Sequence, residues 1–226
     1  MALILTNDGS HSIFSEHFGA AYHSTFGAVT ESAHVFINAG FLFKAKGQGG
    51  VRVLEAGFGS GLNAFMTMLE AEKSGINTHY VGLEAYPIDI NTAAALNYPA
   101  LFHAPEGERR FLELHRCAWA KPHIQSPYFT FEKRQTDIRH FSEEAAFDLI
   151  YFDAFDPQIQ AELWSGDVFK NMYRALKPEG VLVTYCAQGA FRRTLKQVGF
   201  TIERLQGAAG KFEMTRATKR DNAGNQ

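Results

Sequence analysis

A glycine-rich turn and a few acidic residues have the types and spacing that could do chemistry in this chain. Residues 51–63 read VRVLEAGFGSGLN, in which a short apolar run is followed by three alternate glycines and then by apolar residues at helical spacing. This pattern predicts a strand, a tight turn and a helix. The unpaired N–H groups and the positive dipole end of such a helix favour an electron-rich ligand at the turn.

The spacing of the glycines narrows the choice of ligand. In the dinucleotide fingerprint G-x-G-x-x-G the third glycine would stand at position 62, which Leu62 occupies here. The observed pattern is G-x-G-x-G at Gly57, Gly59 and Gly61, with Glu55 two residues before the first glycine. It resembles motif I of S-adenosylmethionine-dependent methyltransferases, although a glycine turn that binds nothing can have the same sequence.

Two acids stand at the ends of predicted strands. Glu84 ends the segment HYVGLE at residues 79–84, and Asp153 follows the apolar segment FDLIYF at residues 147–152. Ligands of open parallel sheets bind beyond the carboxyl ends of the strands. We therefore expect Glu84 to accept the ribose hydroxyls of an adenosyl group and Asp153 to lie at the edge of the same crevice. The alternatives are a solvated glutamate at a strand end and an aspartate that only caps its strand.

Composition and charge exclude several classes of protein. A hydrophobic share of 46% over 226 residues is enough for one folded domain, and 22 basic against 24 acidic residues give a net charge of −2. Nucleic-acid binding would therefore need a local basic patch. The two cysteines and the N-terminal histidines match no metal-ligand spacing, so no metal is expected. Since no signal peptide or membrane-length apolar run is found, the sequence predicts a cytoplasmic protein that does not bind membranes.

Several local signals predict where elements begin and end. Thr30 is expected to cap a helix near the N-terminus, and Pro87 to open the helix after the second strand. Residues 98–125, which contain three prolines, are expected to form an irregular insertion before the third strand. Two segments near the C-terminus, 200–206 and 211–218, are expected to form a closing hairpin.

The chain as a whole resembles the tRNA 5-aminomethyluridine methyltransferases of the MnmD type, equivalent to the N-terminal half of bifunctional MnmC enzymes. The resemblance covers nearly the whole chain, and its markers are the run TNDGSHSIFSEHFGAAYHSTFGAVTESAHVFINAG, then LEAGFGSGLN, LEAYPI, YFDAFDP, LVTYCAQGAFRRTLKQVGF and KFEMTRA. It implies an α/β, class I S-adenosylmethionine-dependent methyltransferase fold: a Rossmann-like, seven-stranded sheet with an antiparallel last strand. The expected single domain over residues 1–226 has an N-terminal cap at 1–50, the core at 51–218 and a flexible tail at 219–226.

The resemblance also implies a reaction. A methyl group passes from S-adenosylmethionine to the primary amine of 5-aminomethyl-(2-thio)uridine at the tRNA wobble position, giving 5-methylaminomethyl-(2-thio)uridine. The flavin-dependent oxidase half of the MnmC enzymes is expected to be missing, so FAD is not expected as a cofactor, and a functional link to a separate oxidase or to other wobble-uridine modification enzymes is. The alternatives are an N-methyltransferase for another amine, a nicotinamide-dependent oxidoreductase and a non-catalytic nucleotide-binding module.

Site residues follow from the motifs and the resemblance together. Asp153 is the expected catalytic residue, as acceptor of the amine proton. The expected cofactor-binding residues are Glu31, Glu55, Gly57, Phe58, Gly59, Gly61, Asn63, Glu84, Asp137 and Ile138. In methyltransferases of this layout an acid and an apolar residue in the positions of Asp137 and Ile138 often hold adenine. The alternative for Asp137 is a helix N-cap, and for Glu31 an acid that favours the first turn of a helix.

The expected substrate-binding residues are aromatic and basic. Tyr22, Phe155 and Phe191 are candidates for stacking on a base that has left the anticodon stack. Arg192 and Arg193 are expected to begin a phosphate-binding patch. Its other members are Lys196, Lys211, Arg216, Lys219 and Arg220. The alternative is a solvated helix face followed by a basic tail.

Overall fold

The computed structural model describes residues 2–208 and 210–220. The strands, numbered in chain order, are β1 (Ala2–Leu5), β2 (His11–Ser15), β3 (Ala20–Ala21), β4 (Gly50–Ala56), β5 (Asn77–Glu84), β6 (His123–Ser126), β7 (Phe129–Gln135), β8 (Phe147–Phe152), β9 (Leu176–Thr184), β10 (Phe200–Gln206) and β11 (Glu213–Lys219).

The α-helices are α1 (Ala28–Ser32), α2 (Phe43–Ala45), α3 (Leu62–Ser74), α4 (Ile90–Ala94), α5 (Tyr98–Phe102), α6 (Gly107–Arg116), α7 (Gly166–Ala175) and α8 (Gly189–Val198). A segment with π-helical hydrogen bonding, Ala33–Leu42, joins α1 to α2. Two short 3₁₀ turns lie at Ile138–His140 and Ala161–Trp164.

Within residues 2–208 and 210–220 the central sheet has eight strands in the order β10-β11-β9-β8-β4-β5-β7-β6. The five central strands, β9, β8, β4, β5 and β7, are parallel. Strand β11 runs antiparallel between β9 and β10, as expected of a last strand in this fold. The expected count of seven was wrong by one strand, because β6 from the predicted insertion pairs antiparallel with β7 at the opposite edge.

The central strands separate two apolar cores. In β8, Leu149 and Tyr151 pack into one core and Ile150 and Phe152 into the other, and all four side chains are fully buried. Alternate residues of a strand point to opposite faces of the sheet. A strand that is covered on both faces therefore requires the continuous apolar sequence from which β8 was predicted.

The N-terminal region forms a small cap on the core that contains the central sheet. Strands β1, β2 and β3 form an antiparallel sheet, and the helical segment that begins at α1 packs against α3 and the central strands. The prediction that Thr30 caps this helix was wrong, because Gly27 is the N-cap residue. Thr30 instead donates its N–H and its hydroxyl to Asp8, both at 2.8 Å. Asp8 thus ties the first turn of α1 to the turn between β1 and β2.

Two further boundaries differ from the prediction. Residues 98–125 are not irregular: they form α5, α6 and β6. The helix predicted to open at Pro87 begins at Ile90, because the Asp89 carboxylate accepts the N–H groups of Asn91 and Thr92 at 2.9 and 3.0 Å. Strand β11 continues to Lys219, the first residue of the predicted tail, and residues 221–226 of that tail lie outside the described residues.

Candidate active site

A crevice opens at the carboxyl ends of β4, β5 and β8. Its volume of about 840 Å³ includes space that is open to solvent. The glycine turn after β4 and the ends of β5 and β8 all contribute to its wall. Predicted site residues that line it are Tyr22, Gly57, Phe58, Gly59, Asn63, Glu84, Asp137, Ile138, Asp153 and Phe155.

The glycine turn needs glycine where it meets other backbone or side chains. Gly57 has φ +96°, and a Cβ built there would lie 2.7 Å from the Asp153 carbonyl oxygen. Gly61, with φ +78°, is the N-cap of α3, and a Cβ there would lie 2.8 Å from His115 Nε2. Only glycine tolerates both the positive φ and such short distances to neighbouring atoms. Glycine at position 57 therefore allows the backbone of the turn to pack directly against the end of β8. Gly61 supports the turn from behind, outside the crevice lining.

Glu84 connects β5 to the glycine turn. Its carboxylate accepts the N–H of Gly59 and the N–H of Tyr86, each at 2.8 Å and each on a different oxygen. An ionised carboxylate has about four acceptor positions, so two remain for further donors. Burial raises the pKa of Glu84, and the backbone hydrogen bonds oppose that increase. Since Glu84 lines the crevice, the remaining positions suit a pair of ribose hydroxyls.

Asp153 and Glu55 share one amide. The Asn63 Nδ2 group donates to Asp153 Oδ2 at 2.8 Å and to Glu55 Oε1 at 2.9 Å. Asn63 lies in the first turn of α3, one turn from Thr67, whose hydroxyl donates to the Asn63 carbonyl at 2.7 Å. Glu55 is fully buried and does not line the crevice. It therefore positions Asn63, and Asn63 in turn holds the carboxylate of Asp153 at the crevice wall.

Burial changes the pKa of both acids of this network. The pKa of Asp153 is raised to about 7, mainly by burial and also by the nearby Glu31 carboxylate, while the bond from Asn63 and the charge of Lys211 lower it. Burial also raises the pKa of Glu55 well above its ordinary value, with an added increase from Asp153. Burial thus favours the protonated form of Glu55, while Asp153 titrates where a general base is most useful.

The segment after β7 gives the crevice another wall. Ile138 is buried and Asp137 half-buried, and both line the crevice. The Asp137 carboxylate accepts the N–H of Arg139 at 2.8 Å and pairs with the guanidinium of that residue at 2.6 Å. The side-chain bond from Arg139 lowers the pKa of Asp137 despite partial burial. The helix-cap alternative for Asp137 is therefore correct for this structure, and its adenine contact stays a prediction.

Aromatic side chains border the open side of the crevice. Tyr22 and Phe155 lie edge to face with ring centroids 5.1 Å apart, and Phe18 packs on Phe155 at 4.7 Å. Tyr86, which is 52% exposed, extends this group beyond Phe18. The indole of Trp164 donates to the Phe155 carbonyl at 2.7 Å, which fixes the loop that follows Asp153. A flat ring can be held against such a surface.

Three of the predicted substrate residues do not line the crevice. Phe191 is buried among Trp164 and Phe169, with ring centroids at 5.0 and 5.1 Å, so it is a core residue. Arg192 is also buried, and it donates to Thr215 Oγ1 at 2.9 Å and to the Met214 carbonyl at 3.0 Å. Arg193 is exposed on α8 outside the crevice lining.

Most of the predicted phosphate-binding patch is engaged within the fold. Arg192 pairs with Glu213, Arg216 pairs with Glu203 at 2.7 Å, and Lys211 pairs with Glu31. Lys219 and Arg220 donate to the Leu176 carbonyl and to Thr201. The patch prediction was therefore wrong for the buried Arg192 and Arg216, and for Lys211, Lys219 and Arg220 it stays a prediction. Arg193 and Lys196 keep exposed side chains.

Glu31 was predicted to face the cofactor, and the structure places it elsewhere. Its carboxylate is buried against Lys211 and does not line the crevice. The lining residues that were not among the predicted site residues include the ring side chains of Phe18, His23 and Tyr86. Tyr86 belongs to the LEAYPI marker, which was the one signal that could have identified it. Burial lowers the pKa of His23 to about 4, so it is neutral at physiological pH.

Residues 2–208 and 210–220 contain no group of three or more histidine, cysteine or acidic side chains that could hold a metal ion. Over the same part of the chain, no helix has the length and apolar character required to cross a bilayer.

One further observation supports the binding of an adenosyl methyl donor in this crevice. Asn63 Oδ1 is buried and accepts no hydrogen bond from any of the described residues. Because buried polar atoms are almost always paired, this acceptor is suited to a donor group on a bound ligand, such as the ammonium of an amino acid. Glu84 also lines the crevice, and its contact with ribose hydroxyls stays a prediction.

Comparisons with known proteins agree with this geometry. Residues 129–220 match the family model described as S-adenosyl-L-methionine-dependent methyltransferase. A protein from Cupriavidus necator named tRNA 5-methylaminomethyl-2-thiouridine biosynthesis bifunctional protein MnmC is 32% identical over 92% of this chain and 33% of its own length. A protein of the same name from Ralstonia nicotianae is 31% identical over 89% of this chain and 32% of its own length. The chain thus spans about a third of the length of the curated relatives it matches.

The fold has a counterpart among solved structures. The crystal structure of MnmC2 from Aquifex aeolicus superimposes with a TM-score of 0.76 at 23% identity, over 96% of this chain and 69% of that chain. The fold class predicted from the sequence is confirmed. In sequence the chain is similar to proteins named MnmC over nearly its whole length, and its residues 129–220 match a family of S-adenosyl-L-methionine-dependent methyltransferases.

Proposed function

We propose that this protein methylates the primary amine of 5-aminomethyl-(2-thio)uridine at the wobble position of tRNA, giving 5-methylaminomethyl-(2-thio)uridine. The names of the relatives supply the substrate class, since they refer to the biosynthesis of a methylaminomethyl nucleoside in tRNA. The observation that carries the proposal is Asp153, a carboxylate with a pKa raised to about 7 at the wall of the crevice.

The acceptor amine has to lose a proton before it can react. When bound, S-adenosylmethionine supplies an electrophilic methyl group. An alkylammonium with a pKa near 10 is unprotonated in only about one molecule in a thousand at pH 7. Asp153 attracts the ammonium and accepts its proton, and Asn63 keeps the receiving carboxylate in place. The half-buried position of Asp153 strengthens this interaction by limiting competition from water.

Binding of the methyl donor is assigned to the residues around the glycine turn. Glu84 accepts the ribose hydroxyls, and Asp137 and Ile138 bind adenine at the far wall. The backbone of Gly57 and Gly59 lets the amino-acid part approach α3.

Binding of the tRNA is assigned to the open side of the crevice. The wobble base leaves the anticodon stack and lies against Tyr22 and Phe155. Arg193 and Lys196 contact phosphates near the entrance, since their side chains are exposed. The aminomethyl group has to be present before methylation, so the proposal includes a functional link to a separate oxidase or to earlier wobble-uridine modification enzymes. A tRNA substrate also implies a cytoplasmic location.

Nucleoside mass analysis tests the proposal directly. The purified chain is incubated with S-adenosylmethionine and tRNA that carries 5-aminomethyluridine, with ribonuclease-treated tRNA and unmodified tRNA as controls. We expect a gain of one methyl group on the aminomethyl nucleoside of intact tRNA alone. Methylation of small amines at equal efficiency, or of no tRNA nucleoside at all, would contradict the proposed substrate.

A further inference from the structure

Three residues from distant parts of the chain meet beside Asp153, outside the crevice lining. Glu31 belongs to α1, Tyr185 follows β9, and Lys211 lies in the loop between β10 and β11. The Lys211 ammonium contacts the Glu31 carboxylate and lies 4.1 Å from the centroid of the Tyr185 ring. A carboxylate and an aromatic face together form a binding environment for an alkylammonium group.

This ammonium site adjoins the proposed catalytic residue. The Tyr185 hydroxyl donates to the Ala154 carbonyl at 2.8 Å, next in sequence to Asp153. Beyond the effect of burial, the Glu31 carboxylate raises the pKa of Asp153 and the Lys211 ammonium lowers it, so both charges act on that acid. The site and the crevice therefore share the short segment that carries Asp153 and Phe155.

The side chains of Glu31 and Lys211 differ in how easily each can move out of the ion pair. The side chain of Glu31 is only 9% exposed, and its second oxygen accepts the Ser24 N–H at 3.4 Å. The side chain of Lys211 is 33% exposed and projects from a surface loop whose next residue, Phe212, is almost fully exposed. A buried carboxylate needs a cation, but that cation need not be Lys211.

The group that Lys211 presents has the chemistry of the proposed acceptor. Both are primary ammonium groups on a methylene carbon, and both carry one positive charge near neutral pH. We propose that Glu31 and the ring of Tyr185 form the subsite that receives the substrate ammonium, and that Lys211 occupies this subsite until the aminomethyl group displaces it. The inference rests on the proposed function and specifies how the acceptor is selected over unmodified uridine.

Binding to two anticodon stem-loops tests the subsite. One carries 5-aminomethyluridine at the wobble position and the other carries uridine, and both are titrated in the presence of S-adenosylhomocysteine so that no turnover occurs. We expect Glu31→Gln to reduce the preference for the aminomethyl stem-loop by about tenfold or more, since a charge-assisted contact is lost. Lys211→Met should increase that preference, because the competing ammonium is removed.

Lys177→Met is the matched control. Lys177 is also ion-paired, with Asp148 at 3.0 Å, but it lies at the opposite end of β8 and β9. We expect this variant to bind both stem-loops as the wild type does. Thermal unfolding of each variant reports whether it folds. If Glu31→Gln does not fold, Lys211→Met decides the question alone, since it alters the same ammonium from a surface loop.

The results separate the two proposals. Equal effects of Glu31→Gln and Lys211→Met on both stem-loops would overturn the subsite, as would a wild type that binds both stem-loops equally. Methyl transfer by the wild type to the aminomethyl stem-loop is measured in parallel. Turnover with unchanged preference in the variants would reject the subsite alone, whereas absence of turnover in the wild type would reject the proposed function.

Discussion

Two groups of charged side chains in this protein differ in what satisfies them. The carboxylates of Glu84 and Asp153 at the crevice accept bonds from backbone N–H groups or from one amide, and they keep acceptor positions that the fold does not fill. The guanidinium groups of Arg192 and Arg216 on α8 and β11 are held by carboxylates, a hydroxyl and carbonyl groups of the same fold. Of these two groups, only the carboxylates at the crevice keep bonding capacity that a ligand can use without displacing a partner within the fold.

The largest expected effect concerns the carboxylate at the end of β8. Asp153→Asn keeps the shape of the side chain and its contact with Asn63 but removes the proton acceptor, so turnover should fall by about 10²–10⁴-fold. Calorimetric titration with S-adenosylmethionine should give nearly unchanged affinity. Asp156→Asn, in the loop that follows, is the control and should retain turnover. A fully active Asp153→Asn enzyme would remove this residue from the mechanism.

The next effect concerns the arginine that the fold holds internally. Arg192→Ala leaves Glu213 and Thr215 without their donor, so the free energy of unfolding should fall by about 2–4 kcal/mol. Arg193→Ala, one residue further on the exposed face, should change it by less than about 0.5 kcal/mol. Denaturant titration measures both. Equal losses in the two variants would contradict the distinction between the two groups of charges.

A smaller effect is expected at the end of β5. Glu84→Gln retains one acceptor oxygen and loses the charge, so the affinity for S-adenosylmethionine should fall by about ten- to a hundredfold. Turnover at saturating donor should change far less, because Glu84 is assigned to the ribose and not to the proton transfer. Glu132→Gln on the neighbouring strand serves as the control for the loss of one negative charge. Unchanged affinity in Glu84→Gln would show that the ribose lies elsewhere.

The smallest effect is a shift in pH dependence. Asp153 acts only when ionised, so kcat/KM should fall as the pH drops through about 7. Asn63→Ala removes a hydrogen bond that lowers this pKa, and the acid limb should move to higher pH. Glu55→Gln should leave the limb in place, because burial, Glu31, Asn63 and Lys211 set the pKa of Asp153 and Glu55 is not among these causes. A limb that moves equally in both variants would contradict this assignment.

Features that depend on one stretch of sequence were predictable. The bounds of β8 were predicted correctly because burial on both faces leaves an uninterrupted apolar run, Phe147–Phe152. The glycine turn was predictable because Gly57 and Gly61 need backbone conformations that other residues avoid. The positions of Glu84 and Asp153 followed from the rule that ligands bind beyond the carboxyl ends of parallel strands.

Features that depend on a distant partner were not predictable. Arg192 on α8 was expected to bind phosphate, but its acceptors Glu213 and Thr215 lie on β11 and become its neighbours only in the folded chain.

Helix α6 was missed for a different reason. Its first turn is highly charged, and its buried apolar side chains are those of Phe111, Leu112 and Leu114. These span less than one heptad, which is too short for a clear helical period. The pairing of Glu31 with Lys211 joins the two ends of the chain and has no local signal.

The contact between Gly57 and the backbone of Asp153 has a mechanical consequence. Because even a methyl group at position 57 would overlap the carbonyl oxygen of Asp153, these two segments have no room to slide past each other. A displacement of either one is transmitted to the other without any intervening side chain. Attempts to widen this enzyme for bulkier alkyl donors should therefore alter the Tyr22 side, where the neighbouring groups are rings that can rotate.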